Sequence, residues 1–303
     1  MTARRCWGVY RELAHSPGRE TDDALILKET ARRLGERGFS VELKTVEDLP
    51  EPPLEGPPES ADPDRALPAF FVMCERIPVL DRLARWEALG ARVVNPSAGI
   101  RNTYRDRTAA LFAASGVSFP ASALVSTEDP APTAPSGSHD LAGLWIKRGD
   151  VHATEAADVV RAESTSGALA ALAEFRRRGV ARALLQEHVP GDLIKFYGVD
   201  AAGAKDGNGW FEWFYHRDQV LARHPFDSAV LEAAARKAAA ALRLEVWGGD
   251  AIVGPGGAPV VIDLNAWPSF ALYRDRAADA IAARLAARFE PAAGSTTRTG
   301  VTQ

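Results

Sequence analysis

The first third of the chain alternates short apolar runs with helical patterns, and this alternation limits its fold more than any other feature. Four runs are typical of strands, at residues 6–10, 39–45, 69–74 and 91–96. Helical patterns at 23–37 and 79–90 separate them, and each ends at or just before a glycine. Because strand–helix–strand units form parallel sheets with helices on their faces, the pattern predicts a small parallel-sheet α/β domain at residues 1–97.

The rest of the chain predicts two α+β lobes and a tail. Further strand patterns lie at 122–126, 144–149, 181–189, 193–200, 209–217, 247–254 and 259–267. Helices are predicted at 100–115, at 166–179 and, from an alanine-rich run, at 228–244. We therefore predict a central lobe at 98–189 and a C-terminal lobe at 190–290, both within the α/β class. The small, polar residues of 291–303 predict a disordered tail.

The segment VVIDLNAWPSF carries the strongest chemical signal. Asp263 and Asn265 are two residues apart on an apolar strand, so their side chains point to the same face. The run WGGDAIVG supplies Asp250, and a hairpin through GPGGAP would bring Asp250 beside Asp263. Carboxylate and amide oxygens suit Mg²⁺, so these three residues are the predicted metal ligands. The alternative is that they are turn residues at strand ends.

The segment LWIKRGDVHAT carries a second signal, a lysine within an apolar strand. Lys147 must extend to solvent or have an anionic partner, because an unpaired buried ammonium is costly. With Arg148 and His152, it can meet phosphate oxygens. Alternatively, Lys147 lies on an exposed edge strand without a role, and His152 is a hydrogen-bonded loop residue.

The segment LLQEHVPGDLIKFYGV carries a third signal, polar groups directly after a buried strand. The residues concerned are Gln186, Glu187, His188 and Val189. Such a stretch can offer backbone donors and acceptors to an adenine edge in an apolar cleft. Asp192 follows a glycine turn and can reach a ribose hydroxyl, and Lys195 is a further cation within a strand. The alternative is an interdomain linker with solvated charges.

Composition and missing motifs exclude several classes of function. The 36 Lys and Arg residues and 40 Asp and Glu residues give a net charge of −4, which excludes a general nucleic-acid coat. No apolar run reaches the about 18–20 residues of a membrane span. Two cysteines form neither a disulfide framework nor a four-cysteine zinc site. P-loop, Rossmann and HExxH motifs are missing too. We expect a cytoplasmic protein with a small-molecule substrate, without nucleic-acid or membrane partners.

Taken in order, these motifs resemble those of the ATP-grasp superfamily over residues 93–283. The order is a helix with a basic residue, a strand lysine, Q-E-x-V, D-x-x-K, a lone Asp and D-x-N. The resemblance implies the ATP-grasp fold, in which two α+β lobes hold Mg-ATP and pass its γ-phosphoryl group to an acceptor. The implied ligands are Arg107 and Lys147 for the phosphates, the backbone of 187–189 for adenine, Asp192 for ribose, and Asp250, Asp263 and Asn265 for the metal ions.

Two segments are more similar to the inositol-polyphosphate kinases of this superfamily than to its ligases. The loop RGDVHATEA is almost free of glycine, and His152 follows Lys147 by five residues. The metal strand continues as Ala, an aromatic residue and Pro, and Asp106 stands directly before Arg107. The resemblance implies an anionic acceptor, a phosphorylated polyol. The catalytic residues implied are Lys147, His152, Lys195 and Arg217.

Two other functions stay open. The first is a carboxylate–amine ligase that works through an acyl phosphate, and the second is a nucleotide-binding protein without catalysis. The N-terminal loop can also face the cleft, through Arg11, His15 and Ser16. Four aromatic residues are predicted to be core instead: Tyr197, Trp210, Trp213 and Phe214. The acceptor and the oligomeric state are left open.

Overall fold

Three four-stranded sheets make up the protein in a computed structural model, which describes residues 4–55, 67–150, 155–203, 207 and 209–290. The N-terminal sheet is parallel, in the order β2-β1-β3-β4, so the predicted strand–helix–strand arrangement is confirmed. Its elements are β1 (Arg4–Val9), α1 (Glu20–Glu36), β2 (Phe39–Lys44), β3 (Ala69–Val72), α2 (Ile77–Ala88) and β4 (Val93–Val94).

Helix α1 begins at Glu20, three residues before the start that the sequence pattern predicts. Its first turn contains Glu20, Asp22 and Asp23. Acidic side chains at a helix N-terminus interact favourably with the helix dipole, which explains why the helix extends through this polar stretch. Ile26, Leu27 and Leu34 are fully buried, so α1 packs through one apolar face.

Two helices connect the N-terminal sheet to the central one, where the sequence predicted a single helix. They are α3 (Ser97–Asn102) and α4 (Arg105–Ser115). The prediction is wrong here because Tyr104 has an extended backbone (φ −66°, ψ 130°), and its hydroxyl donates to the carbonyl of Glu75. A new helix therefore starts at Arg105. With this start, Arg105 is buried and Arg107 is exposed.

The central sheet is antiparallel, in the order β5-β8-β6-β7. Its elements are β5 (Ser122–Ser126), β6 (Trp145–Arg148), β7 (Val159–Arg161), α5 (Thr165–Arg177) and β8 (Arg182–Gln186). Phe175 of α5 packs with Ile146 and Leu185 in a core that belongs to this sheet alone. Strand β6 has a neighbour on each side, so it is an interior strand.

The C-terminal sheet is also antiparallel, in the order β10-β9-β11-β12. Its elements are β9 (Asp192–Val199), β10 (Trp210–Tyr215), α6 (Ser228–Leu242), β11 (Val246–Val253), β12 (Pro259–Ala266) and α7 (Arg274–Phe289). None of the helices in the described part of the chain is long and apolar enough to cross a membrane.

The N-terminal and C-terminal sheets share one hydrophobic core. Phe70 and Trp86 belong to the same buried cluster as Phe196 and Trp247. The buried carboxamide of Asn95, just after β4, accepts from the backbone N–H of Glu245 and Val246 and donates to the Val246 carbonyl, at 2.6–2.9 Å. These two sheets are therefore packed together, while the central sheet has its own core.

Candidate active site

The three predicted metal ligands lie together on one face of the C-terminal sheet. In the antiparallel register of β11 and β12, Asp250 lies opposite Asp263 and Gly248 lies opposite Asn265. The predicted hairpin is therefore confirmed. The register shifts just after Asp250, so the two carboxylates lie at a β-bulge. Residues two apart on a strand share a face, so the Asp263 and Asn265 side chains point the same way.

Strand β9 adds a cation and an aromatic ring to this face. Lys195 lies opposite Asp250 on the neighbouring strand β11, and its Nζ forms an ion pair with Asp250 Oδ1 at 2.8 Å. Tyr197 is paired with Gly248. A Cβ on Gly248 would lie 2.6 Å from Pro268 Cγ and 2.8 Å from Tyr197 Cδ1, so glycine is required for these groups to approach.

The arginine of α4 that faces the metal strand is Arg105. Its guanidinium lies 3.0 Å from Asp263 Oδ2, and it also donates to the carbonyl of Arg148 at 3.3 Å. Arg107, which the resemblance favoured, is exposed on the other side of the helix. Helical periodicity could have indicated Arg105. Thr108 and Phe112 follow it by three and seven residues, so the three side chains lie on the same, buried face of α4.

Lys147 is buried at the centre of the central sheet. It is paired with Val159 on one side and Leu184 on the other, so the alternative of an exposed edge strand is wrong. Its Nζ donates to the Ile262 carbonyl of β12 at 3.3 Å. Burial lowers the pKa of Lys147 to about 8, although the carboxylates of Asp263 and Asp250 oppose this change. Lys147 thus links the central lobe to β12.

A cavity of about 1070 Å³ opens beside the three predicted metal ligands. It is lined by the loop after β1, the face that β9, β11 and β12 form, residues 214–218, the turn after β12, and Arg105 of α4. The N-terminal loop faces this cavity through Arg11, His15 and Ser16, as the sequence suggested. Tyr197 and Phe214, which were predicted to be core, also line it, and Tyr197 packs against a buried core cluster as well.

The predicted adenine segment lies outside this cavity. The amide of Gln186 is buried and donates to Ser122 Oγ at 3.3 Å, and the backbone N–H of Glu187 donates to Ala121. His188 is exposed and its Nδ1 accepts from the Trp145 indole at 3.2 Å. Burial and nearby Arg161 lower the pKa of His188, which favours this accepting, neutral form. The next residue, Val189, is half-buried.

Asp192 has a structural environment that does not suit ribose binding. Its side chain is buried and accepts from the backbone N–H of Ala222 at 2.7 Å and of His224 at 2.8 Å. Burial alone would raise the pKa of Asp192, but the backbone donors outweigh it and the pKa is lowered. The carboxylate therefore holds the 216–224 loop. Arg217 of that loop is exposed and lines the cavity, and His152 lies outside the described residues.

The oxygen donors of the site fit Mg²⁺. Among the residues that the structure describes, no group of three or more His, Cys, Asp or Glu residues is arranged to hold a metal ion. The candidate site instead combines two carboxylates and one amide on one face. Mg²⁺ is commonly bound by one or two carboxylates together with substrate phosphates and water, whereas zinc sites use His and Cys.

Comparison with solved structures identifies the fold. The RimK domain ATP-grasp protein from Sphaerobacter thermophilus aligns with a TM-score of 0.61, over 94% of this chain and 98% of that chain, at 18% identity. The chain has the ATP-grasp fold. D-alanine–D-alanine ligase from Coxiella burnetii aligns with a TM-score of 0.66, over 95% of each chain, at 12% identity.

A third ATP-grasp structure, the ligase PsnB with precursor peptide PsnA2 and AMPPNP, has a TM-score of 0.59. The alignment covers 94% of this chain and 99% of that chain, at 16% identity. No protein-family model matches the chain, and no curated protein matches it. The predicted ATP-grasp fold is therefore confirmed, and the narrower resemblance to inositol-polyphosphate kinases stays a prediction.

Proposed function

We propose that this ATP-grasp protein is a Mg-ATP-dependent ligase that joins a carboxylate to an amine. The observation that carries the proposal is the charge balance of the cavity beside β11 and β12, in which Arg11, Arg105 and Lys195 are each paired with a carboxylate of the protein. The similar solved structures add support, because two of those described above are ligases, one of them with AMPPNP bound.

The paired cations are Lys195 with Asp250, Arg105 with Asp263, and Arg11 with Asp23 and Glu75. A phosphorylated polyol brings several negative charges and would need unpaired cations at comparable depth. Arg19 and Arg217 also line the cavity, but both are exposed, where charge interactions are weaker. An acceptor carboxylate brings a single charge. The charge balance therefore favours the ligase over the polyol kinase.

The nucleotide half of the proposed site lies between the lobes. Lys147 would hold a phosphate oxygen of ATP, and the backbone of 187–189 would take the adenine edge. Asp250, Asp263 and Asn265 would hold Mg²⁺, which supplies charge neutralisation at the phosphates. Arg105 takes the place of Arg107 in this proposal. Through its contact with Asp263 it orients a metal ligand.

The proposed reaction balances in two transfers. A carboxylate oxygen of the acceptor attacks the γ-phosphorus, and ADP leaves with the bridging oxygen. The amine then attacks the acyl carbon, orthophosphate leaves, and the amine loses a proton. Lys195 would orient the proposed metal ligand Asp250 through their 2.8 Å ion pair. Such catalysis needs positioning and charge stabilisation and does not need a protein nucleophile.

The test is acyl-phosphate trapping with the purified protein. Mg-ATP and a panel of carboxylic acids are incubated with hydroxylamine, which takes the place of the amine, and hydroxamate and orthophosphate are measured. We expect both products for an accepted acid, and neither from Asp263→Asn. Asp279→Asn is the matched control, because Asp279 is an exposed carboxylate on α7 that pairs with Arg33.

Two outcomes would contradict the ligase. Transfer of the γ-phosphoryl group to an acceptor hydroxyl, without any amine, would establish a kinase. Mg-ATP binding without turnover against any acid, amine or phosphorylated polyol would establish a nucleotide-binding protein without catalysis.

A further inference from the structure

A buried arginine of the N-terminal loop holds the end of the metal strand. One terminal nitrogen of Arg11 donates to the carbonyl of Trp267 at 2.6 Å and to that of Ala266 at 3.3 Å. Ala266 is the last residue of β12, directly after the proposed ligand Asn265. The side chain of Arg11 is only 10% exposed, although it lines the cavity.

Two buried carboxylates hold the Arg11 guanidinium in this orientation. Its Nε lies 3.5 Å from Asp23 Oδ2, and its other terminal nitrogen lies 3.3 Å from Glu75 Oε1. The Asp23 and Glu75 side chains are 7% and 5% exposed. Ser16 donates to Asp23, and Glu12 accepts from the backbone N–H of Glu75 at 3.0 Å. Because Nε and one terminal nitrogen form these ion pairs, the guanidinium cannot rotate away from the carbonyls of Ala266 and Trp267 without breaking them.

The turn that Arg11 holds has an unfavourable backbone. Trp267 has φ +41° and Phe270 has φ +50°, both in the left-handed region that residues with a side chain rarely adopt. Both rings are fully buried, and Trp267 stacks on Phe71 of β3. Between them, Pro268 and Ser269 form part of the cavity wall. Packing and the Arg11 hydrogen bonds together keep this turn in place.

We propose that Arg11 is a positioning residue of the metal site, because it fixes the end of β12 and thereby the direction of the Asp263 and Asn265 side chains. The proposal rests on the proposed function. Arg11 and Ala266 are 255 positions apart in the sequence, so their contact depends on the tertiary fold. Loss of its two hydrogen bonds should let the strand end move, and outer contacts of this kind commonly change metal affinity by about 10–100-fold.

The test is the binding of Mn²⁺ in place of Mg²⁺, measured by electron paramagnetic resonance with a non-hydrolysable ATP analogue. Arg11→Lys keeps a positive charge beside Asp23 and Glu75 but lacks the second arm that reaches the carbonyls. We expect Mn²⁺ to bind about tenfold more weakly to this variant. Hydrogen exchange of the amides at the end of β12 should also become faster.

Arg82→Lys is the matched control. One terminal nitrogen of Arg82 donates to the carbonyls of Val46 at 3.3 Å and Leu49 at 2.6 Å, and its Nε pairs with Glu51. It thus makes the same kind of double contact without lining the cavity. We expect Arg82→Lys to lose thermal stability as Arg11→Lys does, with Mn²⁺ affinity unchanged.

If Arg11→Lys does not fold, the double variant Arg11→Met/Glu75→Gln is tested in its place. It removes one positive and one negative charge, so the net charge of the cluster is unchanged. Mn²⁺ affinity within twofold of wild type in the folded variant, or an equal loss in Arg82→Lys, overturns the positioning role. Mn²⁺ binding by the wild type and by Asp263→Asn shows whether the positioning role alone is wrong or the metal site itself is. If wild type binds no Mn²⁺, or Asp263→Asn binds it unchanged, the metal site itself is refuted and the role of Arg11 with it.

Discussion

Replacing Lys147 by Met is expected to stabilise the nucleotide-free protein and to weaken its binding of ATP. The ammonium is 6% exposed, and burial lowers its pKa from 10.5 to about 8. A lysine pKa that is lower in the folded state means that the charged form is disfavoured there, so it reduces the free energy of unfolding. Met has a similar length and no charge.

The expected size follows from the pKa and from one hydrogen bond. The difference between 10.5 and 8 corresponds to about 3 kcal/mol, at about 1.4 kcal/mol per tenfold change. The lost hydrogen bond to the Ile262 carbonyl offsets about 1 kcal/mol, so Lys147→Met should gain about 2 kcal/mol at pH 7. The penalty on the wild type is complete below pH 8 and disappears as the pH rises towards 10.5.

The assay is urea unfolding at pH 7 and at pH 9.5, with ATP affinity measured by calorimetry at pH 7. The advantage of Lys147→Met should shrink at the higher pH, because the unfolded wild type then holds the proton that the folded wild type has lost. ATP affinity should fall at least about tenfold, since a hydrogen bond to a charged group contributes about 1.5–3 kcal/mol. The wild type should itself bind ATP more weakly above pH 8.

Lys237→Met is the control, because Lys237 also donates from Nζ to a carbonyl, that of Gly116, but is exposed. We expect Lys237→Met to be slightly less stable than the wild type, because an exposed hydrogen bond contributes little to stability. The reasoning is refuted if Lys147→Met is less stable than the wild type by the same amount at both pH values. Unchanged ATP affinity would remove Lys147 from the nucleotide site.

Three further substitutions test the neighbouring residues. Asp263→Asn should abolish phosphate release and cost about 2 kcal/mol in urea unfolding, because Arg105 loses a charged partner; near-normal turnover would contradict the metal role. Gly248→Ala should lower stability by about 1–3 kcal/mol, since its Cβ would lie 2.6 Å from Pro268 Cγ, and thermal unfolding would show it. Asp192→Ala should cost about 2–3 kcal/mol by freeing two backbone donors, with ATP affinity unchanged. A tenfold loss of that affinity would restore its ribose role.

Local patterns predicted every described strand except β7, because apolar periodicity is a property of adjacent residues. Asp263 and Asn265 share a face since side chains alternate along any strand, and the glycine-rich turn before β12 allows only a tight hairpin. The same reasoning is less reliable where a helix starts. An extended backbone at Tyr104 separates α3 from α4, and no local pattern in the sequence signalled it.

The burial of Arg105 and the exposure of Arg107 show what a sequence motif leaves undetermined. Both residues lie in the first turn of α4, two positions apart, and therefore point in very different directions. Only the packing of Thr108 and Phe112 tells which direction is inward. The burial of Lys147 is a similar case, because strand order decides whether β6 lies at an edge or in the interior.

The sequence by itself determined most of the strands and the hairpin that brings Asp250 beside Asp263, since these depend on residues that lie close together in the chain. The tertiary structure alone decided the long-range partners: Lys147 on the Ile262 carbonyl, Arg105 on Asp263, and Arg11 on the end of β12. Each of these contacts joins segments more than 100 residues apart. Chain packing brings them together, and no periodicity within a segment records which distant segment it will meet.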